Sequence, residues 1–445
     1  MRVSNEVTWR ASSPVAVCDH ARMSAVDRIE ISPRASTLAE ILAPAAVGFP
    51  TLHRRYGSLL ELVRRLIGVV PNCDRYLEIW PVAFRSYNVM VPNLLNLPFF
   101  LWGAGAPKTP VGLAMYASSR VASCMYCSAH TASFALRRGA AETKVADCRA
   151  VALTEAEGAA VAVAEAISGV PAGPVDAERD ELHGALSRGD AEWVVLAVAM
   201  MGFLNKAMDA LGVELEATTV DEVRPLIERS GWSAGRHRVV PTEGAAAPSR
   251  ADDLALKLGL IRLLPSALAL DRRWTAGVPS RWPAVGEFLR ARTGHDFPVL
   301  RHLTHARAIR AIATMLRDNC APRESHLGLD VKHRAALVYA TVVGDDSLAG
   351  AARALARGAG AGDLDAVARF GAEPAEFDDD DAVERAERAH GAALVLAKAA
   401  SYSPARISPR VVEGSRVLPA EGVVELVSWL SVLQLIHRLG SFYAP

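Results

Sequence analysis

Cys124, Cys127 and His130 fall three residues apart in S-C-M-Y-C-S-A-H-T, residues 123–131. On a helix that spacing puts two thiols and an imidazole on one face. Two such thiols can close a disulfide, and His130, about one turn beyond Cys127, can take its proton. Ser123 reads as the helix N-cap, with Cys124 at the first helical position. Amides at a helix N-terminus favour a thiolate, the reactive form of cysteine. The chemistry the pattern points to is a redox dithiol with a base beside it. The plainer alternatives are two small buried hydrophobes or part of a zinc site. Zinc ordinarily wants four ligands, and no second Cys/His pair of suitable spacing occurs. Haem attachment through C-x-x-C-H is excluded because Ser128 follows Cys127.

Tyr116 and Arg120 lie just upstream. A guanidinium near the thiols would stabilise a thiolate by charge, but it is no base at neutral pH. The alternative for Arg120 is an ion pair at the surface or an interface, and for Tyr116 a place in the core. Cys18, Cys73, Cys148 and Cys320 have no partners in sequence and read as buried and inert. His302, His305, His326 and His333 cluster loosely without Cys or carboxylate companions and read as structural or solvated. The acidic run 378–381 reads as a solvated loop that charges the start of the next helix.

The elements that must position these groups are helices. Of the 445 residues 51% are hydrophobic, and Ala- and Leu-rich text with few β-branched runs is helix-forming. Lys plus Arg and Asp plus Glu balance at 49 each, which argues against a nucleic-acid surface. Six cysteines are too few for a disulfide-framed secreted scaffold. No signal peptide is evident in residues 1–22, and Met23 offers an alternative start. The apolar run 193–204 is too short to span a bilayer, and the run 89–106 is broken by Pro92, Asn93, Asn96 and Pro98. The expectation is a cytoplasmic protein with no membrane or nucleic-acid partner, no cofactor and no metal.

Helices are expected over parts of 37–70, 78–106 and 110–122, then from the motif to about Arg138 with Gly139 as its cap, and over 154–167, 176–188 and 190–211. Loop composition peaks at 230–250 and places a boundary there. The second half reads as a worn copy of the first. L-A-M-Y-A at 113–117 answers A-L-V-Y-A at 336–340, F-A-L-R-R-G at 134–139 answers R-A-L-A-R-G at 353–358, and G-A-A-V-A-V-A-E-A-I at 158–167 answers G-A-A-L-V-L-A-K-A-A at 391–400. The offset drifts from 353 − 134 = 219 to 404 − 171 = 233, so the copy carries an insertion. It has no Cys or His between Tyr339 and Gly358. The fold expected is all-α, a tandem duplication with a poorly structured segment 1–35, a site-bearing domain 36–240 and a degenerate repeat 241–445.

C-M-Y-C-S-A-H-T followed by A-L-R-R-G-A, with M-G-F-L-N-K-A-M-D-A-L-G-V-E-L-E at 201–216 and S-G-W-S-A-G-R-H at 230–237, resembles the alkylhydroperoxidase D-like, carboxymuconolactone decarboxylase superfamily. The likeness covers roughly residues 35–245. It implies an oligomeric helical bundle in which Cys127 attacks a peroxide, Cys124 resolves the sulfenate and His130 fills the motif histidine's place. Two departures stand out. The commoner family spacing has three residues between the second Cys and the His, against Ser128 and Ala129 here. The family's glutamate, about a dozen residues before the first Cys, is absent. No Asp or Glu occurs between Glu78 and Glu142, so a carboxylate must come from a distant part of the chain or a partner subunit.

The function this implies is a thiol-dependent hydroperoxide reductase acting on a small hydroperoxide, reset by an external dithiol of thioredoxin or lipoyl type, in a homodimer or small homo-oligomer. Two alternatives stay open: a decarboxylase-like enzyme using His130 as acid and base, and a non-catalytic helical assembly or redox-sensor protein.

Overall fold

Side-chain caps start the helices. Thr37 and Glu40, and Thr154 and Glu157, form reciprocal capping boxes that open Leu38–Leu42 and Glu155–Ser168. Gly68 and Gly212, both in the left-handed region, end Phe49–Ile67 and Arg188–Leu211. The result, in a computed structural model that describes residues 35–445 apart from 106, 148–150, 243–253 and 444–445, is an all-α fold. It has 21 α-helices and a single pair of two-residue strands, Leu215–Glu216 and Val239–Val240, among the described residues. Met23, Cys18, Cys148 and much of the expected boundary loop lie outside the described residues. Residues 35–445 pack as one compact unit, so 36–240 and 241–445 are joined parts of one body.

Two helices form its spine. The apolar run 193–204 is the middle of the 24-residue helix Arg188–Leu211, which is longer than the run itself suggested. It lies against Ala420–Tyr443, also of 24 residues. Both are long and apolar enough to cross a membrane, and here their apolar windows are 94% and 100% buried. The crossing is close because Gly202 has no side chain: a Cβ there would sit 2.9 Å from Arg438 Cδ and 3.0 Å from the Gln434 carbonyl. Polar bridges run both ways. Arg438 donates to Ser118 Oγ and the Val198 carbonyl at 2.7 and 2.8 Å. Lys206 donates to the Ser401 and Tyr402 carbonyls at 2.8 and 2.6 Å.

Local geometry recurs between the halves. The Cys124 amide donates to the Ser119 carbonyl, and the Asp345 amide to that of Ala340 (345 − 124 = 221). The caps that close Met125–Arg137 and Asp346–Gly358 match donor for donor at the same offset: Gly139 to Leu136 and Ala140 to Ala135, Gly360 to Arg357 and Ala361 to Ala356. Further on, Gly173 donates to Ala166 and Arg406 to Ala399 (406 − 173 = 233). The offset changes between these points, where helix Asp380–His390 lies. This register differs from the one read in the sequence. At the offset of 221 residues 134–139 align with 355–360 and Tyr116 with Leu337, whereas the sequence comparison pairs Tyr116 with Tyr339. Ala-rich segments slide past one another by a residue or two with little change in apparent similarity, so the two offsets differ.

Glu192 and Glu425 occupy matching places in the two long helices (425 − 192 = 233), each accepting amides that lead into another helix. Glu192 takes those of Thr304 and His305, and Glu425 those of His326 and Leu327. Glu425 also meets Lys332 Nζ at 3.1 Å with both side chains fully buried, and the ammonium lies 4.6 Å from the Trp80 ring centroid. Removing one member of a buried pair leaves the other unpaired. Glu425→Ala is expected to destabilise the fold by about 3–5 kcal/mol, measured as a drop in urea midpoint.

Candidate active site

The turn into the motif helix is one residue tighter than the sequence suggests. Helix Lys108–Val121 ends with the Arg120 and Ser119 carbonyls accepting the Ser123 and Cys124 amides. Reversing the chain this sharply puts Ser123 at φ 53°, in the left-handed region, and moves the cap along by one. Cys124, not Ser123, is the N-cap, and Met125 is the first helical residue. The Cys124 sulfur accepts the Cys127 amide at 3.3 Å. Helix Met125–Arg137 is held at its start by Trp232, whose indole N–H donates to the Met125 carbonyl at 3.0 Å.

Cys124 and Cys127 are free thiols, 0% and 3% exposed. Burial pushes the Cys127 thiol well above the ordinary cysteine range, and the Cys124 sulfur beside it pushes in the same direction. Desolvation therefore outweighs the helix N-terminus that was expected to favour thiolate. Only Cys127 of the two lines the adjoining cavity, which holds about 120 Å³ and is walled by Leu66, Leu97, Phe134, Met200 and Met208 among others.

A carboxylate from far downstream in the sequence reaches His130. Glu216 ends the strand Leu215–Glu216, which pairs in parallel with Val239–Val240, and it is 1% exposed. Its Oε2 lies 2.7 Å from His130 Nε2, while Oε1 accepts the Asn72 amide and, at 3.0 Å, the Tyr126 hydroxyl. A carboxylate can only accept, so Nε2 carries the imidazole proton and Nδ1 is the basic nitrogen. The His130 ring also packs on Tyr126, centroids 4.5 Å apart. His130 and Cys127 share the cavity wall.

Three further residues belong to this neighbourhood. Cys73, read as inert from the sequence, lines the same cavity as Cys127 and is itself buried. Burial, with the charges of Asp74 and Glu216 added, pushes its thiol well up. Asp74 is fully buried with no hydrogen-bond partner on either carboxyl oxygen. Burial, then Glu216 and Glu78, pushes its carboxyl well above its ordinary value. Tyr87 also lines the cavity.

Arg120 and Tyr116 are directed elsewhere. The Arg120 guanidinium donates to the Tyr116 hydroxyl at 3.1 Å, to the Ser230 carbonyl at 2.8 Å and to Ser230 Oγ, and neither residue lines the cavity. The pair ties helix Lys108–Val121 to the 228–230 turn. Of the loosely clustered histidines, His305 stacks on Trp193 at 3.8 Å and meets the Gly189 carbonyl at 2.9 Å, a structural role, while His302 stacks on Tyr443 at 5.4 Å. No group of three or more His, Cys, Asp or Glu side chains suited to a metal ion occurs among the described residues.

No family model and no curated protein matches the chain. Two solved structures are similar to part of it. One is a cysteine-to-alanine variant of the debrominase Bmp8 in complex with 2,3,4-tribromopyrrole, at 23% identity and TM-score 0.34, covering 40% of this chain and 96% of that one. The other is Bmp8 in its apo form, at 23% identity and TM-score 0.32, covering 40% and 97%.

Proposed function

We propose that the chain is a thiol-dependent reductase of small apolar hydroperoxides, with Cys127 as the attacking sulfur, Cys124 as the resolving one and Glu216–His130 as the proton relay. The observation that carries this reading is the buried Glu216 carboxylate 2.7 Å from His130 on the wall shared with Cys127. His130 Nδ1 takes the Cys127 proton, and the thiolate attacks the terminal peroxide oxygen. The O–O bond breaks, its electron pair leaves on the alkoxide, and His130 returns the proton to give the alcohol. Cys127 is left as sulfenic acid. Cys124 then attacks that sulfur, the S–O bond breaks, water leaves and a disulfide forms. An external dithiol reduces the disulfide and resets the site. The aliphatic and methionine walls favour an organic hydroperoxide over hydrogen peroxide. The recurrence between the halves supports reading the second as a duplicated copy standing where a second subunit would pack.

The test is stoichiometric oxidation of reduced protein with an organic hydroperoxide, followed by cysteine mapping. A Cys124–Cys127 disulfide formed within seconds is the expected result, and thiols unchanged after minutes would overturn the reading. A second reading, acid–base chemistry at His130 without thiol participation, is favoured by the burial that holds Cys127 protonated. It requires that Cys127→Ser keep the activity.

A further inference from the structure

A second cavity, larger than the thiol cavity, lies elsewhere in the fold. It holds about 470 Å³ and lies between the 295–302 segment, the start of helix Asp346–Gly358 and the end of Ala420–Tyr443. By the register above it is the counterpart of the thiol cavity in the second half. Leu348 and Ala351 line it where Cys127 and His130 line the other (348 − 127 = 221), and His437 stands at the place of Leu204 (437 − 204 = 233). Asp345, the N-cap matching Cys124, accepts the Leu348 amide at 2.8 Å, just as Cys124 accepts that of Cys127.

This half has exchanged the dithiol for an acid–imidazole pair. His437 Nδ1 lies 2.8 Å from Asp345 Oδ2. Burial alone would raise the Asp345 carboxyl, but the His437 hydrogen bond and the Leu348 and Ser347 amides bring it below its ordinary value. Asp345 is therefore the acceptor, Nδ1 carries the proton, and Nε2 presents a lone pair. His437 is 5% exposed, and its Nε2 is buried with no hydrogen-bond partner in the protein. A buried polar atom left unpaired costs free energy, so a group that donates to it is favoured. The lining is mixed: Phe297, Ile436 and His302 stacked on Tyr443 supply aromatic and aliphatic wall, beside the polar His295, Arg301 and Asp346.

We propose that this cavity is a second ligand site, for small ring compounds bearing an acidic hydroxyl such as phenols or enols, with His437 Nε2 accepting the hydroxyl proton. The ring packs against Phe297, Tyr443 and Ile436. The O–H donates to Nε2, and full transfer leaves an oxyanion facing an imidazolium held by the Asp345 carboxylate. No oxidant or other co-reactant is needed. The site is independent of the thiols.

The test uses 4-nitrophenol, whose ionisation is read directly from its absorbance, with the full chain. One equivalent is expected to bind. His437→Phe, which keeps an aromatic ring but removes both nitrogens, weakens binding at least about tenfold, the worth of one buried hydrogen bond. Asp345→Asn keeps an N-capping side chain but releases the Nδ1 tautomer. It weakens binding of the neutral phenol and favours the phenolate, a change in spectrum that a merely structural role would not produce. Cys127→Ser leaves binding unchanged. Absence of binding at millimolar 4-nitrophenol, equal binding by folded His437→Phe, or loss of binding in Cys127→Ser would each overturn the proposal.

Discussion

Cys127→Ser is expected to lower the second-order rate of organic hydroperoxide reduction by more than about 10³-fold, to the background of the solution reaction. Serine keeps the size and the helix position and removes only the nucleophile. Cys124→Ser should behave differently. The first oxidation proceeds at close to the native rate and stops at a sulfenic acid on Cys127, trapped by a dimedone-type reagent and located by mass spectrometry. The difference follows from position: Cys127 lines the cavity, and Cys124 sits behind it as the helix cap. Equal peroxide turnover by native protein and Cys127→Ser would rule out the thiol scheme altogether.

Burial also sets how Cys127 responds to pH. A thiol held well above its ordinary value of 9.0 carries little thiolate at neutral pH. The sign is that of a raised acid: thiolate appears only as pH climbs. Modification of Cys127 by a neutral alkylating reagent should therefore rise about tenfold per pH unit through pH 9 without levelling. A plateau near pH 7 would show a thiolate stabilised as the helix N-terminus alone would have it. The peroxide reaction should show a shallower pH dependence, because there His130 takes the proton as the O–O bond breaks.

The motif and its surroundings were legible to different depths. Helical spacing alone put Cys124, Cys127 and His130 on one face, because i, i+3 contacts are local. The cap was misplaced by one residue, because the left-handed turn at Ser123 depends on how the preceding helix ends and not on the motif. Glu216 was the harder case. It was expected only as a carboxylate from elsewhere, since two residues of strand bring it 86 positions back to His130. No periodicity records such a contact. Asp74 and Cys73 were invisible for the same reason: their role comes from sharing a buried space, not from spacing. In the second half the absence of Cys and His between Tyr339 and Gly358 suggested a region without chemistry. His437, 92 positions from Asp345, restores a titratable pair there.

Glu216→Gln is the second large effect expected, a fall of about 10²-fold in kcat/KM for hydroperoxide with the fold retained. Glutamine matches the shape but not the acceptor capacity. Glu216 receives the Asn72 amide, the Tyr126 hydroxyl and the His130 N–H. An amide offers one acceptor oxygen, and with that oxygen kept for the Asn72 amide and the Tyr126 hydroxyl its NH2 would face His130. His130 must then turn its lone pair toward residue 216, which places the proton on Nδ1, the nitrogen that should accept it from Cys127. The loss should therefore fall mainly on kcat, with KM little changed, because the apolar cavity wall is untouched. Glu216→Asp keeps the charge at a longer reach and should recover part of the rate, which a purely structural role for the side chain would not give. Thermal melting of each variant separates chemistry from stability. A Glu216→Gln protein that melts like the native one and turns over within threefold of it would remove Glu216 from the relay and leave His130 acting alone. A variant slowed a hundredfold, with Cys127 still open to alkylation at high pH, would place the defect in proton transfer and not in the thiol.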